Sequence, residues 1–416
     1  MTKAVSSFFE KHHFSVNKAD YNLISALRAD MNAKLKGEKA WQEMALTWAL
    51  PPEKSPVNES VIVIDAGGSN FRSCLVTFDG KGNPLVSEFK KSAMPGLERE
   101  LSKAEFFDAI ADKIEYLKNR ADRIGFCFSY SMIITREGDG IPNSLSKEIK
   151  ASEVVGVPVG ATLRQVLEKR GWNTISHIAL LNDTVAALLA GAAGNSGTYS
   201  SYIGFILGTG MNGAYIQPAF GGEKRQIVVC ENGKFGNFAR SDFDLALDNK
   251  SQQPGEYMLQ KCCSGGYLGS LGLEVLQTAA GVGLVSPESA SALKELKNLT
   301  LVEMDEFLHT PGKKENVIAA CCKDDGDRNT VFELLDALVE RCAGYSASIL
   351  AACLEQCEEG KNQPVCILCN GTTFYKTYRL KERIESYLSQ YAGNIRYEIV
   401  GMENDITIGT AIAGLL

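Results

Sequence analysis

The chain has 416 residues, 45% hydrophobic and 22% charged, the mix of a soluble globular protein, and it is longer than one hydrophobic core usually supports, so two domains are expected. Its formal net charge of -7 argues against nucleic-acid binding, which wants a basic face. The most apolar stretch, 178–194, is interrupted by Asn182 and Asp183 and falls short of a clean membrane span, and the N-terminus lacks the long apolar run of a secretory signal. With 12 cysteines in so long a chain, a disulfide scaffold is not indicated; a reducing cytoplasm is the expected compartment. Cys366 and Cys369 lie three apart on an apolar strand-like run, so they face opposite sides and do not suggest a metal pair.

Taken in chain order, the first forty or so residues carry no usable motif. Residues 51–60 (PPEKSPVNES) are Pro-rich and polar and read as a linker. VIVID (61–65) is an apolar β-branched strand that runs into a glycine pair, and 71–78 resumes a strand, so the pair predicts a hairpin. Ser102 and Glu105 have capping-box spacing, followed by Phe107, Ile110, Ile114 and Leu117 at helical period. Residues 124–134 are strand-like, and 161–169 read as a helix stopped by Gly171. HIALL (177–181) is a short buried strand, and the helical run TVAALLAGAAG comes after Asn182-Asp183.

SYIGFILGTG (201–210) is another strand entering glycines, and AYIQ resumes a strand beyond them. Residues from about 280 to 355 are mostly helical. VCILCNGTTFYK is a strand followed by a glycine turn, and the chain ends on strand, loop and helix. The alternation predicts an α/β class with mixed sheets.

Three glycine turns therefore follow three apolar strands: Asp65-Ala66-Gly67-Gly68-Ser69-Asn70, Gly208-Thr209-Gly210, and Asn370-Gly371-Thr372. Glycine lets backbone N–H groups wrap an anion closely, so three such turns suggest a polyphosphate held between two sheets. Asp65, at a strand end facing those turns, either orders Mg²⁺ through water or forms a local turn bond. Arg72 is either a phosphate partner or an exposed strand cation. Asp183, where a strand meets a helix, is either an N-cap or a general base kept ionised by the helix terminus. Gly208-x-Gly210-x-x-Gly213 matches a dinucleotide fingerprint, but a strand comes next where that fingerprint needs a helix. No P-loop signature is present, and the four histidines flank no nucleophile elbow.

In their order, these segments resemble the hexokinase family within the actin-like and Hsp70-like ATPase superfamily. VIVIDAGGSNFR (61–72) is similar to that family's first phosphate motif, and FCFSYS (126–131) stands where it has a Ser-Phe-Pro sugar segment. SLSKEIKAS (144–152) resembles its Trp-Thr-Lys-Gly-Phe stretch, and LLNDTVAAL (180–188) its Asn-Asp-Thr-Val segment. GTGMNGAY (208–215) looks like the second phosphate motif, ENGKFGNF (231–238) its Glu-Trp-Gly-Ala-Phe-Gly, PGEYMLQKCCSGGYLG (254–269) its Pro-Gly and Ser-Gly run, and NGTTFYK (370–376) its adenosine turn.

The resemblance implies a two-lobed actin-like (ribonuclease H-like) fold with mixed sheets, flanking helices and a central cleft. It implies a small lobe of 61–180, joined by 408–416, and a large lobe of 1–60 and 181–407. It implies ATP-dependent phosphorylation of a hexose, glucose first, at the 6-hydroxyl. ATP and Mg²⁺ are the implied cofactors, with neither nucleic acid nor membrane as partner, in a cytoplasmic monomer or homodimer.

By that resemblance Asp183 is the base; Ser129, Ser146, Lys147, Asn182, Asn212, Glu231 and Gln260 hold the sugar with it; Asp65, Gly67, Gly68, Ser69, Asn70, Arg72, Gly208, Thr209, Gly210, Asn370, Gly371 and Thr372 surround the nucleotide; and Asp65 lies near the metal. This sequence departs from the family pattern at Gln260 (a Glu there), Ser146 (Thr), Tyr130-Ser131 (Phe-Pro), Asn370 (Asp), and ENDITIGTA, which lacks a Gly-Ser-Gly loop. Those departures keep open another sugar, an amino sugar, another phosphoryl donor, or a degenerate sugar sensor.

Overall fold

The computed structural model describes residues 1–16, 21–145, 149–193 and 197–416. Two sheets carry the architecture. The first has five strands in the order Pro84–Ala93, Asn70–Phe78, Ser60–Gly67, Arg123–Phe128, His177–Leu181. Its first two pairings are antiparallel and its last two parallel. The expected hairpin around the first glycine turn is present, with Gly67 opposite Asn70 and Asp65 opposite Arg72.

The second sheet has six strands in the order Ala45–Leu46, Gln226–Val229, Met211–Gln217, Ser201–Leu207, Val365–Asn370, Tyr397–Val400. It too is antiparallel at one side and parallel at the other. Parallel strands need crossovers, and helices supply them, which explains why β-branched apolar strands alternate with helical runs in the sequence.

The helix Lys103–Ile114 begins at the capping box expected at Ser102, and it buries Phe106, Phe107, Ile110 and Ile114 against the five-stranded sheet. The 33-residue helix Asp325–Cys357 is the spine of the other half. It is apolar on most faces because 89% of its most apolar window is enclosed by protein. The motif-free N-terminus also belongs to this core. Helices Lys3–Lys11 and Tyr21–Leu35 bury Val5, Phe8, Phe9, Leu23, Ile24, Leu27 and Met31 there.

One expectation needs correction. The strand-like run 124–134 is broken after Phe128. Ser129 N–H turns back to the Ala66 carbonyl and Tyr130 N–H to that of Phe128. Met132–Ile134 then pairs with Gly140–Pro142 in a separate two-stranded ribbon.

Two helices lie between the sheets. Asp183–Ala192 continues directly from the last strand of the five-stranded sheet and is buried on nearly every side, which its Ala-Leu composition permits. It packs on Ser201–Leu207 and Val365–Asn370 of the six-stranded sheet and against the last helix, Asp405–Leu415. That last helix in turn packs on the strands Ser60–Gly67 and Arg123–Phe128. The contacts are backbone to backbone. A Cβ on Gly204 would lie 2.2 Å from the Thr184 carbonyl oxygen, and one on Gly409 1.8 Å from that of Ala186. The helix bearing Asp183 is thus gripped by a glycine on either side.

Gly409→Ala is expected to force the last helix away from its neighbour and destabilise the fold by about 1–3 kcal/mol, the usual range for overpacking. A urea titration of the purified variant measures this. An unchanged midpoint would mean the helices do not pack this closely.

Candidate active site

The carboxyl-terminal ends of the strands Ser60–Gly67, Arg123–Phe128, His177–Leu181 and Val365–Asn370 and the hairpin turn at 208–210 bring the sequence-flagged residues together. Asn182 and Asp183 start the helix between the sheets. The cap is Asn182, whose Oδ1 accepts from Val185 N–H at 2.9 Å. Asp183 is therefore released from capping. Its Oδ1 accepts a long 3.3 Å bond from the Thr184 hydroxyl, and the N–H groups of Asp183 and Thr184 also face the carboxyl. Burial, then the charge of Asp65, pushes its carboxyl up to about 6. A carboxyl poised near neutrality in a cleft is the mark of a proton acceptor.

Asp65 is buried, and its Oδ2 accepts from Arg72 Nη1 at 2.6 Å. Burial raises its proton affinity despite Arg72. Arg72 is about 40% exposed at its side chain, so it pairs with Asp65 while still facing solvent beside the turn. The turn residues Gly68 and Ser69 are exposed, Gly67 and Asn70 partly so. Tyr130 braces this turn from behind, its hydroxyl donating to the Gly68 carbonyl at 3.2 Å. Ser129 lies against it as well, since a Cβ on Gly67 would meet Ser129 Cβ at 2.8 Å.

The second glycine turn is stitched both to the start of the helix Gly265–Gly281 and to the third turn. Gly265 N–H donates to the Gly208 carbonyl at 2.8 Å, and Gly266 N–H to that of Thr209 at 3.1 Å. Thr373 Oγ1 donates to the same Gly208 carbonyl at 2.9 Å. Gly371 adopts φ 122°, and a Cβ there would lie 2.1 Å from the Leu207 oxygen, so no other residue fits. Beyond Gly371 the chain does more than turn: it enters a short helix, Thr372–Lys376. Thr209 and Thr372 are exposed at this junction, Gly210 partly so. Asn370 Nδ2 donates to both Asp405 oxygens, at 2.8 and 2.7 Å, which ties the third turn to the last helix.

A third group forms one wall of the cleft. Asn212 Nδ2 donates to Glu231 Oε1 at 2.7 Å, while Asn212 Oδ1 accepts from Glu231 N–H at 3.0 Å. Glu231 sits in the left-handed region at φ 56°, a strained position for a non-glycine residue and one common at functional sites. Burial, then the charge of Glu43, pushes its carboxyl up to about 7. Asn182 and Glu231 both line a cavity of about 260 Å³, together with Tyr130, Ser131, Glu43 and Trp48. Gln260 reaches the same region differently: its Oε1 accepts from Met211 N–H at 3.1 Å, beside Gly210 and Gly233. It holds the second turn through its oxygen, and the other polar end of the side chain is an amide donor. Ser146 and Lys147 lie outside the described residues.

Sequence reasoning passed over Glu43, Lys234 and Asp405. Lys234 and Asp405 lie inside segments that were singled out, and their charge was the available signal; nothing local marks Glu43.

Family models of hexokinase match residues 202–416 and 4–193. The chain belongs to the hexokinase family. Hexokinase-1 of Spinacia oleracea is 26% identical over 91% of this chain and 83% of its own length. Hexokinase-1 of Schizosaccharomyces pombe is 25% identical over 90% and 82%. Among solved structures, the hexokinase of Schistosoma mansoni, complexed with glucose, superposes with a TM-score of 0.78 at 22% identity, covering 99% of this chain and 98% of that one. A second hexokinase crystal structure gives 0.80 at 21% identity over the whole of both chains. The fold is therefore the actin-like ATPase fold expected from the motifs, and the family is one of sugar-phosphorylating phosphotransferases.

Asp183 makes the fold pay for its position in a way stability can reveal. Its proton affinity is higher in the folded state than the ordinary carboxylate value of 3.8. Stability is then fully present below about pH 4 and declines as pH rises through about 6. Asp183→Asn is expected to be more stable than the parent at pH 8, by about 2 kcal/mol for a partly exposed group, and equal to it at pH 4. Denaturant titrations of both proteins at the two pH values measure this. An equal gap at both would remove the claim of a strained carboxylate.

Proposed function

We propose that this hexokinase-family member transfers the γ-phosphoryl group of ATP to the 6-hydroxyl of a hexose, glucose first, and that the product feeds glycolysis in the cytoplasm. The observation that carries this reading is Asp183: a carboxyl freed from capping by Asn182, raised to about 6, at the meeting point of the three glycine turns and the Asn212–Glu231 pair.

In this reading Asp183 accepts the proton of the sugar hydroxyl as its oxygen attacks phosphorus. Phosphoryl transfer asks little covalent chemistry of the protein; it asks for alignment and for charge to be balanced. Asn182, Asn212 and Glu231 hold the sugar's other hydroxyls, with Ser129 and Gln260 Nε2 beside it; Ser146 and Lys147 are assigned to the sugar by the family resemblance alone. The turns at 67–70, 208–210 and 371–372 offer backbone N–H groups and small hydroxyls to the phosphates. Arg72 lies close enough to the first turn to share its guanidinium between Asp65 and a phosphate oxygen.

The residues fit a divalent cation that arrives with the nucleotide. Burial raises Asp65 even with Arg72 attached, and Asp183 and Asp405 lie within electrostatic reach of it, so the locality has negative charge to neutralise. No three His, Cys, Asp or Glu side chains among the described residues cluster closely enough to bind a metal unaided. Mg²⁺ held by phosphates and by Asp65 through water is therefore the arrangement that suits the site; bound there, it would offset charge on the transferred group. We further propose that residues 61–180 with the final helix move as one lobe against the rest. Closure would exclude water and favour the sugar over hydrolysis as acceptor.

The departures at Gln260 and in 403–411 favour no other sugar or donor by a specific contact, so glucose and ATP remain the first reading.

A coupled assay with MgATP and glucose tests it. Glucose 6-phosphate should form, and Asp183→Ala should lower kcat by about 10²–10⁴-fold with only a modest change in glucose affinity. The parent kcat at saturating glucose should fall as pH drops below about 6, where Asp183 takes up its proton. Calorimetric glucose binding without turnover with any donor would instead favour a sugar sensor.

A further inference from the structure

Glu231 does not stand alone in the cleft wall. Three residues on, at the end of the turn Asn232–Lys234, the Lys234 ammonium contacts Glu43 Oε1. Glu43 is held there by its backbone: Glu43 N–H donates to the carbonyl of Cys230, the residue before Glu231, at 3.1 Å. The Lys234 ammonium also sits 5.2 Å from the centre of the Tyr257 ring. Lys234 and Glu43 are part-buried at 17% and 34% exposure, so solvent screens the pair only in part. Glu43 and Glu231 line the same cavity. The arrangement is a carboxylate, an ammonium and a second carboxylate beside the cavity, with the ion pair formed between residues 191 positions apart in the chain.

Resting on the assignment of Glu231 to the sugar, we propose that the Lys234–Glu43 pair controls the charge of Glu231, and through it the pH at which the cleft binds a neutral hexose. Both are positioning residues: they act through Glu231 and need not touch the sugar. The charged or titratable groups around Glu231 are few. Glu43 and Asp183 push its proton affinity up, Lys234 and the Asn212 amide pull it down, and Tyr257 lies beside Lys234. Arg136, Glu137 and His177 line the far end of the cavity. Glu231 is raised to about 7, so its ionisation is balanced at neutral pH and small changes in its neighbours decide it. An ionised carboxylate accepts two sugar hydroxyls; a protonated one loses an acceptor and adds a donor. Sugar binding should thus weaken as pH falls through about 7.

The two partners act with opposite sign, and that gives the test. Glucose dissociation constants are measured by calorimetry from pH 6 to 9 on the parent, Lys234→Met, Lys234→Arg and Glu43→Gln. A one-unit displacement of Glu231 changes apparent affinity near pH 7 by about fivefold for the loss of the cation and about twofold for the loss of the anion. Lys234→Met should bind about fivefold more weakly at pH 7 and equally at pH 9. Glu43→Gln should bind about twofold more tightly at pH 7, and Lys234→Arg should restore the parent curve. In parallel, ¹³C-carboxyl-labelled glutamate, with the Glu231 signal assigned by its loss in Glu231→Gln, reports the ionisation of Glu231 without any sugar. Displacement of that titration upward in Lys234→Met and downward in Glu43→Gln supports the proposal. Superimposable titrations in all four proteins, or an affinity loss equal at every pH, overturn it. If the parent binds no glucose, the substrate assignment fails, and the carboxyl titrations still decide whether the pair controls Glu231.

Discussion

The backbone contact between the helix Asp183–Ala192 and its two glycine neighbours is the constraint on which the site depends. Gly204 lets the six-stranded sheet touch one face of that helix, and Gly409 lets the last helix touch another. A helix held by backbone on two sides cannot rotate or slide without breaking packing over the whole interface. Its first residue is Asp183, so the direction of that carboxyl is set by how its helix is clamped. The same last helix carries Asp405, which receives Asn370 from the third glycine turn. One pair of packed helices therefore sets the Asp183 carboxyl and the third glycine turn together.

Charge is distributed unevenly over this frame. Asp65, Asp183, Asp405 and Glu231 are all raised, burial being the first cause for each, and the first three lie within one another's field in part. The cations against them are Arg72 on Asp65 and Lys234 near Glu231. Such concentration of like charge is destabilising in the free protein and becomes favourable when a ligand's positive or hydrogen-bond-donating groups arrive, which is why stability and function pull apart at such sites.

Much of this was legible from local patterns. The three strand-then-glycine turns could be read because turn chemistry depends on a few adjacent residues. The Asp65–Arg72 pair was legible in principle, since a turn at Gly68-Ser69 places those positions opposite each other across the hairpin. Of the two readings of Asp183, the N-cap one is taken by its neighbour, because Asn182 makes the capping bond. The N-terminal helices escaped notice: Phe8 and Phe9 acquire meaning only when Phe14 and Phe243 close around them. Glu43 was illegible for the same reason, its partner being Lys234.

Gln260 shows where resemblance and geometry part. The family pattern puts a glutamate at this position, and resemblance assigns it to the sugar. Here the side chain's oxygen is committed to Met211 N–H, at the exit of the second glycine turn. A carboxylate could make that bond and still present a second acceptor; an amide making it presents a donor instead. The change therefore inverts the hydrogen-bonding sense of one point on the cleft wall while leaving the turn supported. It also removes one negative charge from a wall that already holds Glu231 and Glu43, so on the proposed assignment Glu231 carries more of the recognition of sugar hydroxyls. On that proposal its ionisation, and the neighbours that would govern it, lie at the centre of how this cleft would select what it binds.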